Sequence, residues 1–201
     1  NFNYSEYWAK SIFKGALARQ CCLFLKLGSA EEIFTLGLLS KIGDLALATA
    51  YPEKYSQLLG EKINNELEKQ KLEYDYFGLT ANNLTCDLLD DWKMPSPFSS
   101  AIKLLDEKNI NPNTPGRILG LMHLLIHTEK IADLWVKKVI DESETIANIL
   151  DPEILLLLSD LAKINNFAGG FENSDSLKIS MAATSDALGW LDNIGLLPKL
   201  N

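Results

Sequence analysis

A chain of 201 residues, 47% of them apolar, can bury the core of one domain of ordinary size, with or without a helical appendage. Its net charge of −8 repels phosphate backbones, and no Lys/Arg stripe overrides this locally, so no nucleic-acid partner is expected. The three cysteines, Cys21, Cys22 and Cys86, are odd in number and form no CxxC; they read as small buried apolar residues of a cytoplasmic chain.

The chain starts at Asn1 rather than Met and is read as part of a longer polypeptide. No signal peptide is visible. The longest uncharged apolar run, near residues 118–128, is shorter than the roughly 20 residues that a bilayer needs, so no membrane partner is expected.

The periodicity is helical throughout. Trp8, Ile12, Ala16, Arg19 and Leu23 recur at helical spacing after a start at Ser5 and Glu6, and Gly28 ends that helix. Ser29 caps the next, with Glu31 and Glu32 favoured by the helix dipole in its first turn. The apolar set Ile33, Phe34, Leu36, Leu39, Ile42, Leu45 and Leu47 is broad enough for a single buried helix. Pro52 opens a helix with a polar face over 52–71, and a turn follows at 76–78. Thr80 caps a helix running to Trp92. Met94-Pro95-Ser96-Pro97 is a stop, and a helix over 98–106 comes next.

Asn109 to Arg117, NINPNTPGR, is the best internal boundary, dividing a helical core at 1–110 from a C-terminal helical region at 111–201. That region opens with a long apolar helix from Pro115 to about Ile140. Asp151-Pro152 starts another, since the Asp caps and the Pro fits the first helical position. A Gly/Asn-rich loop at 167–174 and a helix over 176–193 close the chain. No alternation of strand type appears, so the fold class is all-α.

Five stretches, in order, carry a resemblance. Tyr7-Trp8-Ala9-Lys10-Ser11, GLLSKIGDLAL from Gly37, YPEKY from Tyr51, EYDYFGLTANNLTCDLLDDWKMP from Glu73, and Ala101-Ile102 together resemble the HDOD domain, a divergent HD-superfamily domain of bacterial signalling proteins. The resemblance covers about residues 5–126. It implies an HD-superfamily-like multi-helix bundle with additional C-terminal helices.

In catalytic HD proteins, His and Asp side chains hold divalent metals that activate a water for attack on phosphorus. The resemblance places Lys10 at the first His, Ser40 and Lys41 at the His-Asp pair and Ala81 at a later His. It places Leu105 and Asp106 at a His-His pair, Ile126 at a distant Asp, and Asp44 where the family often has a Lys. An ammonium repels a divalent cation, so Lys10 and Lys41 weigh against a metal. Lys41 and Asp44, three apart on a helix, could form a weak surface ion pair.

Other constellations are weaker. His123 and His127 lie i, i+4 on one face and could hold zinc with a third ligand such as Glu129 or Asp133, but HLLIH lacks the Glu of HExxH, and ordinary boundary histidines are the simpler reading. Asp87, Asp90 and Asp91 read as a solvated helix face, as do Asp141, Glu142 and Glu144. Gly169-Gly170 is a turn without a phosphate-binding context. Ser40 has no paired His in its motif and is no nucleophile. Trp8 and Trp92 are read as core or core-edge anchors, whereas Trp135 and Trp190 are candidates for a partner surface.

The resulting expectation is a non-catalytic signalling or regulatory module without a cofactor. It would bind a partner protein, a small ligand or other domains of its own polypeptide on an HD-type scaffold. The alternatives are a metal-dependent phosphohydrolase with relocated ligands and a sensor of nucleotide-type ligands, whose phosphates Lys10 and Lys41 would meet in the vacated pocket.

Overall fold

Helix boundaries follow the capping and backbone-special residues, and they divide the chain more finely than its periodicity does. The computed structural model describes residues 1–25, 28–141, 156–160 and 173–196, and among these residues there is no strand. Helix α1 spans Tyr4–Leu25. Gly28 follows it with a positive φ of 136°, and Ser29 Oγ accepts from Glu32 N–H as the cap of α2, Ala30–Leu39.

The single buried helix expected across Ile33–Leu47 is two. The chain turns at Ser40 and Lys41, and α3 runs over Ile42–Ala50 with no side-chain cap from Lys41. The helix expected over 52–71 is also two, α4 (Pro52–Gly60) and α5 (Glu66–Phe77). Glu61 is extended, and Asn65 caps afresh by accepting from Glu68 N–H, so the period continues across a break that periodicity cannot register. Gly78, at φ 79°, closes α5 in the left-handed conformation. Thr80 caps α6 (Ala81–Asp91) through a capping box with Asn83, as the sequence indicates.

Helix α7 is Ser96–Leu104, two residues earlier at each end than expected, with its prolines at the start. Helix α8 is Gly116–Asp141. Residues 156–160 are helical, and α9 spans Asn173–Asn193, beginning inside the loop expected at 167–174. The start at Asp151-Pro152, the Gly169-Gly170 turn and Glu142 and Glu144 lie outside the described residues.

By its internal contacts the chain falls into two compact units, Asn1–Tyr4 with Leu39–Met122, and Ser5–Leu38 with His123–Asn201. The boundary expected near 110 lies inside the first. In the first unit α3 packs on α4 and α6, α4 on α5, and α6 on α7. Leu47, Ala48, Tyr55, Leu58 and Ala81 form a core cluster there, flanked by Phe2, Leu72 and Phe77.

In the second unit Phe13 stacks on Trp135 at 4.3 Å, which places Trp135 in the core and not on a partner surface. Trp190 meets Phe34 edge-on at 4.8 Å. Trp92, expected as an anchor, is half exposed, because its helix ends there.

The stretch Ala30–Ala50 is long and apolar enough to cross a membrane by length and composition, unlike the shorter 118–128 run. It is broken at Ser40–Lys41, and the buried Asp44 carboxylate lies within it.

Candidate functional site

The motif glycines set the local geometry. A Cβ on Gly43 would lie 2.0 Å from the Ala81 carbonyl oxygen, so the start of α3 lies directly on α6. Gly43 N–H donates to Thr85 Oγ1 at 3.0 Å, and that hydroxyl donates to Ala81 O at 2.9 Å. In the second unit a Cβ on Gly37 would come within 2.9 Å of Gly15 Cα and Lys14 O, so α1 and α2 cross backbone to backbone. The two glycines of G-L-L-x-x-I-G thus each serve a close approach, one per unit.

Six of the expected positions, Ser40, Lys41, Asp44, Ala81, Leu105 and Asp106, lie in the first unit. Ser40 is buried. Lys41 Nζ donates to Asn82 Oδ1 at 3.2 Å, and Asn82 Nδ2 donates in turn to Asp106, which also accepts from Gln70 Nε2 at 3.1 Å. Asp44, which could have paired with Lys41, is ion-paired with Lys69 of α5 at 3.5 Å and accepts from the Tyr55 hydroxyl at 2.8 Å. Lys69 also pairs with Glu73 at 3.3 Å, and Glu73 Oε2 accepts from Ala81 N–H at 2.9 Å. Where the family has a His, Ala81 therefore contributes only its backbone. Burial works against the charge of Lys69, but Asp44 and Glu73 outweigh it and hold the ammonium above its ordinary range. Glu73 is pushed up by burial, with Lys69 and the Ala81 N–H opposing and Asp44 reinforcing.

Lys10 belongs to the second unit, in an ion-pair ladder. Its Nζ lies 2.6 Å from Glu129 Oε1 and also pairs with Asp133. Lys14, one turn on and 1% exposed, reaches Glu129 Oε2 at 2.5 Å. Charges therefore alternate across the pair α1 and α8, with the lysines on α1 and the carboxylates on α8. Burial opposes the charge of Lys10, but the two carboxylates prevail and raise its pKa. The acidic groups facing position 10 are thus Glu129 and Asp133, not the expected position Ile126.

The same carboxylates were the candidate third ligands for His123 and His127, and lysines hold them. His127 Nδ1 lies 2.8 Å from the His123 carbonyl oxygen of its own helix. Burial, then the neighbouring His127, lowers the pKa of His123. Among the described residues, no three His, Cys, Asp or Glu side chains converge as metal ligands would. The carboxylates of the two clusters are engaged by the chain's own donors: Asp44 and Glu73 by Lys69, Asp106 by Asn82 and Gln70, and Glu129 and Asp133 by Lys10.

The solvated-face reading of Asp87, Asp90 and Asp91 agrees with their exposure. All three cysteines are buried; burial pushes the Cys21 thiol up to about 12 and the Cys86 thiol to about 11.

The HDOD domain family matches residues 1–107. The chain belongs to the HDOD family. It is an HD-superfamily helical domain of the signalling type. A crystal structure of the MmoQ response regulator from Methylococcus capsulatus str. Bath is similar at 28% identity and TM-score 0.67, over 89% of this chain and 62% of that one. A second, of that protein's fragment 20–298, is similar at 31% identity and TM-score 0.62, over 86% and 60%. A protein from Shewanella amazonensis SB2B, described provisionally as a phosphohydrolase, is 17% identical with TM-score 0.58 over 93% and 65%, a likeness of fold alone. The chain spans about three fifths of the length of the response-regulator structures it matches. No curated protein matches it.

Lys14, Lys69, Tyr55 and Glu73 escaped the sequence reading as site residues. Tyr55 and Glu73 stand inside stretches that carry the resemblance, YPEKY and the one beginning at Glu73, and that signal was available. Lys14 reads as one more helix lysine, and only its burial distinguishes it.

Proposed function

We propose that this HDOD domain is a non-catalytic regulatory module of bacterial signal transduction, acting in the cytoplasm. On this reading it binds a partner protein, a small ligand or another domain of its own polypeptide on an HD-type scaffold. The observation that carries the reading is the occupation of the family's ligand positions. Lys10, Ser40, Lys41 and Ala81 stand there, and the ammonium groups of Lys10 and Lys41 are engaged by Glu129, Asp133 and Asn82. Such groups supply cations and neutral donors where metal-activated water would need imidazole and carboxylate. Binding would be transmitted by repacking of helices that cross closely at Gly37 and Gly43.

The test is elemental analysis of the purified protein for Mn, Fe, Zn, Mg and Ni, together with hydrolysis of a cyclic dinucleotide in added Mn²⁺. Less than about a tenth of a metal per chain and no turnover are expected. One metal per chain, or turnover that a chelator abolishes, would overturn the reading and revive that of a phosphohydrolase with relocated ligands. The nucleotide-sensor reading is weakened at Lys10, whose charge Glu129 and Asp133 already balance.

A further inference from the structure

In the first unit, Asp44 on α3 and Glu73 on α5 draw on one ammonium. Lys69 Nζ lies 3.5 Å from Asp44 Oδ1 and 3.3 Å from Glu73 Oε1. Glu73 is 2% exposed and Asp44 9%. The other groups around the cluster come from each neighbouring helix. The Tyr55 hydroxyl of α4 donates to Asp44 at 2.8 Å. The Ala81 N–H at the start of α6 donates to Glu73 at 2.9 Å. Glu66, one turn earlier on α5, adds its field to Lys69.

A carboxylate taken out of water needs compensation to stay ionised. Glu73 has a divided ammonium and one N–H, and it faces a like charge. A neutral carboxyl in the same place keeps its carbonyl oxygen as the acceptor for Ala81 N–H. It also removes the repulsion from Asp44 and leaves Lys69 to Asp44 alone. Protonation therefore relieves the junction of α3, α5 and α6 without dismantling it.

We propose that Glu73 is a proton-sensing strut: its carboxyl takes up a proton while the unit stays folded, and the unit built on α3 to α6 is firmer when it does. The direction of its titration agrees, since burial and Asp44 together outweigh Lys69 and the Ala81 N–H. A group that binds its proton more tightly when folded favours the folded state at low pH, and that contribution is lost as pH rises through the folded-state value. A fall in pH would thus stiffen the unit, a device independent of any ligand or partner.

The experiment is a titration of the full chain with glutamate carboxyl carbons labelled for NMR. Glu73 is expected to titrate with a midpoint above the ordinary 4.5; a midpoint at or below 4.5 overturns the proposal. Asp44→Asn is expected to lower that midpoint by about half a pH unit, a threefold change in proton affinity, and no change or a rise overturns the sharing. Glu73→Gln, which mimics the protonated carboxyl, is expected to be at least as heat-stable as the parent at neutral pH, with the gap closing as pH falls. A loss of stability that is constant with pH would mark a structural role and overturn the proposal. Where a variant does not fold, the titration of the unaltered chain decides.

Discussion

Two polar clusters, one in each unit, handle buried charge in opposite ways. In the second unit Lys14, Glu129, Lys10 and Asp133 alternate in sign from the interior outward, so the Glu129 carboxylate lies between two ammonium groups, one on each oxygen. In the first, Asp44 and Glu73 divide Lys69, a tyrosine hydroxyl donates to Asp44 and a backbone N–H to Glu73. The ladder depends most on the Glu129 charge, because the Lys14 side chain that it meets is buried. The shared cluster can lose a charge to a proton and keep its hydrogen bonds. Ion pairing in a fold is thus informative only together with burial and with the number of partners per charge.

The most disruptive expected change is Glu129→Gln, which leaves the Lys14 ammonium buried without its carboxylate; a loss of about 3–5 kcal/mol in denaturant unfolding is expected. A loss under about 1 kcal/mol would show that the ladder is not needed. Gly43→Ala in the first unit is expected to cost ~3 kcal/mol, because the new methyl meets backbone at Ala81 and not a movable side-chain end. Tyr55→Phe removes the donor to Asp44 and is expected to cost about 1–2 kcal/mol. Asp133→Asn, at the exposed end of the ladder, is expected to cost less than about 1 kcal/mol.

The pH responses should separate the clusters. The raised pKa of Lys10 means that the ladder's contribution is full below about 10.5 and is lost as pH rises through the folded-state value, whereas that of Glu73 is full below about 4.5 and is lost as pH rises through its own raised folded-state value. Thermal melts across both ranges check this. The thiols give a probe common to both units. With Cys21 pushed up to about 12 and Cys86 to about 11, labelling at neutral pH is expected to proceed only as fast as the native state opens.

The all-α class was legible because apolar residues recur at helical spacing, and Thr80, Ser29 and Gly78 act through chemistry local to their own turns. The breaks at Ser40–Lys41 and at 61–65 were not, since the apolar period runs on across them while backbone conformation and fresh caps divide the helices. At the candidate site, the resemblance located Lys10, Ser40, Lys41, Asp44 and Ala81 along the chain but not their partners. Asp44 could have met Lys41, three residues away, and met Lys69, 25 residues away. Glu129 and Asp133 were weighed as zinc ligands and proved to be the carboxylates of the ladder.

Sequence alone determined the helical class, the replacement of imidazole and carboxylate by lysine, serine and alanine at the motif positions, and the family whose pattern those positions follow. These depend on spacing and residue type, which are properties of the chain in one dimension. Tertiary structure alone decided that Lys14 is buried, that one ammonium serves two carboxylates, and that Gly37 and Gly43 each admit a neighbouring backbone. Burial and pairing arise between residues distant in sequence, and their energies depend on distance and on exclusion of water, which no local pattern encodes.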